Sequence, residues 1–253
     1  MNIDQVKEKL AVTKFPRSNK YDPQWVIENN MGPNSLWLTE FVCQAMHLKP
    51  GLRVLDLGCG RGMSSIFLAK EYGVEVWAAD LWIKANEIQK FVADAGVEDS
   101  VFPLHLDARD LPFADNFFDA MLCIDSFIYF GTDDLYLDSW NKFVNPGGEI
   151  GVVMPGFMQE LVGKLPEHLE PFWAQECWTW HTLDWWKWHW QRTGLVNMLT
   201  ADTLPDGWKL WEQWTEACIL AENDCDWLES DLQVLRADQG RYMGFIRMIA
   251  ERA

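Results

Sequence analysis

Three glycines at alternate positions, Gly58, Gly60 and Gly62, stand between a short apolar run and a helical pattern. The apolar run at residues 54–57 predicts a strand buried on both faces, and residues 63–72 predict the helix. Glycine permits backbone conformations and a close ligand approach that a Cβ atom would prevent. The first N–H groups of the helix are expected to point back at the turn. This stretch therefore predicts a site for a nucleotide-like ligand.

Aspartates end two of the later apolar runs. Asp80 follows residues 74–79, and Asp125 follows residues 117–124. Open α/β sheets bind ligands at the carboxyl ends of their strands, so both carboxylates are well sited for a ligand. Asp80 comes about twenty residues after the glycines, where an acidic residue accepts hydrogen bonds from ribose hydroxyl groups. Its alternative role is to cap a helix that begins near Trp82.

The glycine spacing separates two kinds of nucleotide site. A dinucleotide fingerprint reads G-x-G-x-x-G, and here Met63 stands at the position of the third glycine. The chain instead reads D-x-G-x-G-x-G from Asp56, which resembles the first motif of the class I S-adenosylmethionine (SAM) methyltransferases. The stretches LDARDLPF, FFDAMLCIDS and PGG follow in order and also resemble motifs of that family. The resemblance covers residues 21–154 well and the C-terminal third by topology alone.

The resemblance implies that SAM is the cofactor and that it leaves as S-adenosylhomocysteine. Residues 58–60 are assigned to its methionine end through backbone contacts, and Asp80 to its ribose. Asp107 and Ala108 match the position that meets the adenine edge, where Asp110 is a rival for the carboxylate role. The complete set of predicted cofactor contacts is Asp56, Gly58, Cys59, Gly60, Asp80, Leu81, Asp107, Ala108 and Asp125.

Tryptophan is unusually frequent after the fifth predicted strand, where residues 173–227 hold most of the 16 indoles of the chain. Core packing does not need so much indole, so some of these side chains are predicted to line the pocket. They would form either a cage for an ammonium group or a flat slot for an aromatic or apolar substrate. Any single one more often packs an added helix against the sheet. The predicted substrate contacts are Tyr21, Trp25, Tyr129, Trp180, Trp186 and Trp190.

Three residues are predicted to act in catalysis, namely Asp125, Tyr129 and His181. The first two follow the fourth predicted strand, whose carboxyl end faces both cofactor and substrate in the family resembled. Imidazole titrates near neutrality, so His181 or His189 could take a proton from the nucleophile, although a histidine among aromatic residues is more often a core residue. A sulfonium donor is already activated, so a dedicated base is not required.

The balance of charge limits the partners of the protein. The formal net charge is −17 with a pI near 4.6, and Lys and Arg form no run, so nucleic acid and anionic membrane surfaces are predicted not to be partners. The expected partner is a small molecule, neutral or cationic. Six scattered cysteines without a C-x-x-C pair predict neither a disulfide framework nor a metal site. A cytoplasmic location is expected because no apolar run is long enough to span a bilayer, and the oligomeric state stays open.

Alternating strands and helices predict an α/β fold in which both faces of a parallel sheet are covered. The resemblance specifies a Rossmann-like class I methyltransferase fold, with a mainly parallel seven-stranded sheet, a C-terminal antiparallel strand, and helical additions at both ends. One domain is expected over residues 1–253. Its predicted parts are a helical lid at 1–50, the SAM-binding core at 51–154, tryptophan-rich substrate-side insertions at 155–240, and the final strand at 241–253.

These features predict methyl transfer from SAM to a small molecule. An amine is the leading acceptor because negative charge and indoles occur together. Carbon or oxygen methylation of an aromatic or apolar metabolite is the alternative enzyme function. Outside that class stand a non-catalytic SAM-binding module and a nicotinamide oxidoreductase, and Met63 counts against the latter.

Overall fold

Within residues 3–29, 31–223 and 225–253, which the computed structural model describes, seven strands form one sheet. The strands are β1 (Arg53–Leu57), β2 (Glu75–Asp80), β3 (Val101–His105), β4 (Phe118–Ile124), β5 (Val144–Phe157), β6 (Val196–Thr203) and β7 (Met243–Arg252). Their order is β3-β2-β1-β4-β5-β7-β6. Strands β1 to β5 pair in parallel, and β7 runs antiparallel to both β5 and β6. The predicted fold class is confirmed.

Helices cover the sheet and extend it at both ends of the chain. They are α1 (Ile3–Leu10), α2 (Pro23–Glu28), α3 (Ser35–Cys43), α4 (Met63–Tyr72), α5 (Ala85–Asp94), α6 (Tyr136–Asn141), α7 (Leu183–Gln191), α8 (Gly207–Leu220) and α9 (Leu228–Asp238). Short 3₁₀ helices lie at Ser18–Lys20, Phe127–Tyr129, Glu170–Phe172 and Gln175–Thr179. Helix α1 packs on α8, so the N-terminal segment meets the C-terminal additions on one side of the molecule.

The strand order reverses between β1 and β4. From β1 the chain moves to β2 and β3 on one side, whereas β4 and β5 lie on the other side. A crevice opens outside the carboxyl ends of the strands at such a reversal, because the two following connections diverge. The sheet therefore brings the glycine turn after β1, Asp80 at the end of β2 and Asp125 after β4 to one edge.

A buried carboxylate joins β1 to α4. Asp56 is 0 % exposed, and its Oδ2 accepts hydrogen bonds from the hydroxyl groups of Ser64 and Ser65, each at 2.6 Å. Burial raises the pKa of Asp56 to about 6. Asp56 is therefore held inside the protein, where it fixes the first turn of α4 against the strand and orients the glycines between them.

Sequence reasoning misplaced the connection between β4 and β5. The sequence pattern predicts a helix over residues 133–144 and a turn at residues 145–148 before the strand. Helix α6 is only Tyr136–Asn141, and β5 already begins at Val144. Val144 pairs with Phe118, and pairing resumes at Glu149 opposite Ala120. Residues 145–148 therefore form a bulge within β5, because Val144 already pairs with Phe118 before the turn.

The N-terminal segment is anchored by another buried acid. Glu40 on α3 is 3 % exposed and accepts hydrogen bonds from the backbone N–H groups of Arg17 and Ser18 and from the Ser18 hydroxyl group. Helix α3 in turn packs on α4 and β5. These bonds fix residues 17–18, in the segment between α1 and α2, against α3.

In the described part of the chain, no helix has the length and apolarity needed to cross a bilayer. Among the same residues, no three His, Cys, Asp or Glu side chains converge in a way that could hold a metal ion.

Candidate active site at the carboxyl edge of the sheet

A cavity of about 370 Å³ lies at the carboxyl ends of β1, β2 and β4. Its volume lies within the range of small-molecule sites. The walls come from the glycine turn, from the ends of these strands, from the segment between α2 and α3, and from α8. The predicted site residues that line it are Gly58, Cys59, Gly60, Asp80, Leu81, Asp107, Ala108, Asp125 and Tyr129.

The glycine turn offers hydrogen-bond acceptors to this cavity. The N–H groups of Gly58 and Cys59 donate to the Ala79 carbonyl oxygen at 2.8 and 3.1 Å, and the N–H of Gly60 donates to Asp80 Oδ2 at 2.8 Å. Among the residues described, no hydrogen bond reaches the carbonyl oxygen of Gly58. A turn whose N–H groups are already bonded is poorly suited to a phosphate, which needs donors, and well suited to an ammonium group, which needs acceptors.

Asp80 is held by backbone donors on two sides. Its Oδ1 accepts from the N–H groups of Trp82 and Ile83 at 2.7 and 2.8 Å, and its Oδ2 accepts from Gly60. It does not cap a helix near Trp82, because α5 begins at Ala85 and its N-cap is Lys84. The residue is 7 % exposed and borders the cavity, so the second lone pair of Oδ2 remains for a ligand hydroxyl group.

Asp107 and Ala108 form the opposite wall. Asp107 Oδ1 accepts from the backbone N–H of Arg109 at 2.9 Å, and the Ala108 carbonyl oxygen accepts from the Tyr136 hydroxyl group at 2.9 Å. The Arg109 guanidinium donates to the Tyr129 carbonyl oxygen at 3.0 Å, which ties this wall to the 3₁₀ helix after β4. The rival Asp110 is exposed and does not line the cavity.

Asp125 faces the cavity from the end of β4 with a backbone φ of 57°. A left-handed conformation is uncommon for a residue with a side chain and is found preferentially at functional sites. Burial raises the pKa of Asp125 to about 8, and the nearby carboxylate of Asp231 adds to the shift. Burial, with help from Asp125 and Glu176, also raises the pKa of Tyr129 to about 12. This part of the cavity is therefore unfavourable for negative charge.

Two important wall elements were missed by sequence reasoning. Trp214 on α8 lines the cavity, and its indole N–H donates to the Gly32 carbonyl oxygen at 2.8 Å. Gly32 lies against Asp125, since a Cβ atom added there would be 2.7 Å from Asp125 Oδ2. Met31 lies over the turn in the same way, because a Cβ added at Gly60 would be 2.9 Å from the Met31 sulfur. The sequence signals were the turn chemistry of Gly32 and the following proline, and the tryptophan-rich stretch to which Trp214 belongs.

Several predicted site residues lie outside the lining of this cavity. Trp186 and Trp190 are 0 % exposed and pack on Phe127, with ring centroids at 5.5 and 5.6 Å. The apolar face of α7 is thus turned into the core. The remaining residues outside the lining are Tyr21, Trp25, Asp56, Trp180 and His181.

Tyr21 and His181, which lie outside the cavity lining, each stack on a neighbouring tryptophan. Tyr21 stacks on Trp25 at 5.7 Å between ring centroids and borders a separate cavity beside α1. His181 stacks on Trp185 at 3.8 Å, and burial lowers its pKa. Each is anchored by packing against neighbouring aromatic groups, so their predicted contacts with substrate remain predictions.

Substitution of Gly58 by alanine is expected to destabilise the protein by about 2–4 kcal/mol and to abolish ligand binding. Gly58 has φ 78°, and an added Cβ would lie 2.2 Å from Ser126 Oγ and 2.5 Å from Ser126 Cβ. Gly96→Ala is the matched control, since Gly96 has φ 66° and nothing within 4 Å of an added Cβ. Urea unfolding of both variants separates two contributions to the loss of stability. Both variants strain a left-handed backbone, but only Gly58→Ala places a Cβ atom against Ser126. Equal loss of stability in the two variants would contradict the steric account.

Comparison with known proteins gives one matching family. Residues 54–148 match the family described as methyltransferase domain. A methyltransferase named GfsG from Streptomyces halstedii is 31% identical over 116 residues, which are 46% of this chain and 42% of that protein. The glycine/sarcosine/dimethylglycine N-methyltransferase of Actinopolyspora halophila is 30% identical over 104 residues, 41% of this chain and 18% of that protein. The chain thus spans less than half the length of these relatives.

A solved structure extends the likeness over almost the whole chain. The phosphoethanolamine N-methyltransferase 2 of Haemonchus contortus, in complex with S-adenosyl-L-methionine, has a TM-score of 0.73. The match covers 98% of this chain and 60% of that one, at 18% sequence identity. At this identity the likeness establishes a shared fold.

Proposed function

Residues 54–148 match the family described as methyltransferase domain, and from this premise we propose that the protein is a class I, SAM-dependent methyltransferase that transfers the methyl group of SAM to a small-molecule amine. The observation that carries the choice of cofactor is the hydrogen bonding of the glycine turn. Its N–H groups are bonded to Ala79 and Asp80, so the turn presents an acceptor where a dinucleotide would need donors.

The residues of the cavity fit SAM along its length. The carbonyl oxygen of Gly58 would accept the ammonium group of the methionine end, and Asp80 Oδ2 would accept a ribose hydroxyl group. Asp107, with the N–H of Ala108, would meet the adenine edge. Trp82 is 64 % exposed and packs edge-on against Tyr129 at 5.2 Å, which supplies an aromatic border at the mouth. No metal is needed for this recognition.

Bound SAM supplies an activated methyl group on sulfur, which passes in line to the acceptor. The chain has three tasks in this reaction. It aligns the acceptor lone pair with the methyl carbon, excludes water with the segment around Gly32 and with Trp214, and removes a proton from the ammonium form of the acceptor. Asp125 borders the cavity and is suited to the last task, because a carboxylate with a raised pKa takes up a proton near neutral pH.

The amine preference is supported by charge. Among the residues described, no cationic side chain pairs with Asp125 or Asp231. The cations that line the cavity are engaged elsewhere, since Arg61 donates to the Glu28 carbonyl oxygen and Arg109 lies beside Asp107. An unpaired carboxylate beside a cavity is costly unless the ligand brings a compensating positive charge.

Incubation with methyl-labelled SAM and a panel of small amines, phenols and enolisable compounds tests the proposal. The expected product is an N-methylated amine, identified by mass spectrometry. Asp80→Ala serves as the control that should lose transfer to every acceptor. A labelled phenol or carbon skeleton would retain methyl transfer and reject the amine. SAM binding without transfer to any member of the panel would favour a non-catalytic binding module.

A further inference from the structure

Part of the cavity wall is made of residues that have no role in the proposed binding of SAM. They include Gly32, Asp125, Tyr129, Phe130 and Trp214. The Trp214 indole N–H donates to the Gly32 carbonyl oxygen at 2.8 Å. Gly32 in turn lies against Asp125, because a Cβ atom added to Gly32 would be 2.7 Å from Asp125 Oδ2. The indole, the Gly32 backbone and the carboxylate therefore form one continuous wall.

The side chain of Trp214 is fixed in this wall. It is 2 % exposed, and its ring meets that of Trp37 edge-on, with centroids 6.3 Å apart and an angle of 68° between the planes. Trp37 is itself buried and stacks on the fully buried Phe15 at 6.3 Å. Close-packed side chains of this kind do not move aside for a larger neighbour without strain. The indole is therefore a rigid boundary of the cavity.

The size of residue 214 determines how much room remains for a second ligand. The whole cavity measures about 370 Å³ and has to hold the methyl acceptor together with SAM. Core residues lie behind the indole, so a shorter side chain at this position would enlarge the cavity. An apolar space of ~150 Å³ inside a protein accepts a molecule the size of benzene. Removal of the indole is thus expected to admit an acceptor that is larger by about one aromatic ring.

We infer that Trp214 is a specificity-determining residue, which limits the size of the methyl acceptor beside Asp125. This inference rests on the proposed function, because it places the acceptor next to that carboxylate. Size is a property separate from charge, so Trp214 selects among amines of equal charge. The indole acts through the space that it occupies and takes no part in proton transfer.

Binding to the protein saturated with S-adenosylhomocysteine tests this inference without any turnover. Choline and its analogue with one N-methyl group replaced by benzyl carry the same fixed charge and differ by one aromatic ring. Calorimetric titration measures both. Wild-type protein is expected to bind choline at least about tenfold more tightly than the benzyl analogue, because forcing extra atoms into a packed site has an effect of that size.

Trp214→Ala is expected to bind the benzyl analogue at least about tenfold more tightly than the wild type does, and choline no more tightly. Trp214→Leu keeps an apolar side chain and opens less space, so a gain of several-fold is expected, and it carries the test if the alanine variant does not fold. Trp208→Ala is the matched control, since Trp208 lies on the same helix but packs against Gly240 outside the cavity lining. Affinity for S-adenosylhomocysteine within a few fold of normal verifies that each variant is folded.

Equal affinity of the wild type for choline and its benzyl analogue would overturn the inference, as would a folded Trp214 variant without any gain for the benzyl analogue. Failure of the amine proposal is seen separately, as absence of choline binding and of a labelled amine. Phenol and 4-phenylphenol are then the matched pair that differs by one ring, and the same exchange of preference is expected from Trp214→Ala. Its absence with that pair would also overturn the inference.

Discussion

Replacing Asp80 by alanine is expected to weaken SAM binding by roughly 100-fold or more, since hydrogen bonds to a charged group contribute about 1.5–3 kcal/mol each. The substitution would remove the proposed acceptor of the ribose hydroxyl group. It would also release the N–H groups of Gly60, Trp82 and Ile83, which it now holds at 2.7 to 2.8 Å. The variant therefore acts on the shape of the glycine turn as well as on the ligand, and some loss of stability accompanies the loss of binding.

Calorimetric titration with SAM measures this effect, and Asp80→Asn separates its two parts. Asparagine keeps one oxygen acceptor and is expected to retain more stability than alanine while still binding SAM poorly. Asp99→Ala, an exposed aspartate before β3, is the control that should bind normally. A dissociation constant for Asp80→Ala within threefold of the wild-type value would remove Asp80 from the cofactor site.

Replacing Asp125 by asparagine is expected to lower kcat/KM for an amine acceptor by roughly 100-fold, a magnitude typical of losing a proton acceptor. Asparagine is isosteric but can neither take up the proton nor attract the ammonium group. Asp138→Asn on the exposed face of α6 is the matched control. SAM affinity should stay within a few fold of normal in both variants. If SAM binding falls as much as turnover, Asp125 serves the cofactor and not the acceptor.

Choline is a quaternary ammonium probe that cannot itself be N-methylated, and the pH dependence of its binding to the protein saturated with S-adenosylhomocysteine provides an independent measurement on Asp125. The groups that face it are Asp231 on α9, Tyr129 on the adjoining 3₁₀ helix and Cys123 on β4, none of them cationic. The pKa of Asp125 is raised to about 8, and burial raises that of Asp231 to about 6. Choline prefers the ionised carboxylates, so its affinity should fall as the pH is lowered from about 8 to about 6.

The raised pKa of Asp125 also makes the free energy of unfolding depend on pH. Because the pKa of Asp125 is raised on folding, the folded state binds this proton more tightly than the unfolded chain, and the associated stability is lost as the pH rises through about 8. Asp125→Asn is therefore expected to be more stable than the wild type at pH 9 in urea unfolding. A flat pH profile of choline binding in the wild type, together with equal stability of the two proteins at pH 9, would contradict the raised pKa.

The sequence by itself located one wall of the cavity, at the glycine turn and the end of β2. Gly58, Gly60 and Asp80 were identified because turns and strand ends are specified by neighbouring residues, through backbone conformations that only certain side chains permit. The α/β fold class followed from the alternation of apolar runs and helical patterns along the chain. Only local boundaries went wrong there, as at Val144, where pairing with a neighbouring strand overrode the turn.

Only the tertiary structure decided which tryptophan after β5 lines the cavity. Of the many tryptophans, Trp214 lines the cavity while Trp186 and Trp190 are buried against Phe127. Periodicity indicates which residues share a helix face, but not which neighbour that face meets. The Trp214 hydrogen bond to Gly32 joins residues 182 positions apart. Such contacts depend on how the finished helices pack, so no local pattern in the sequence records them.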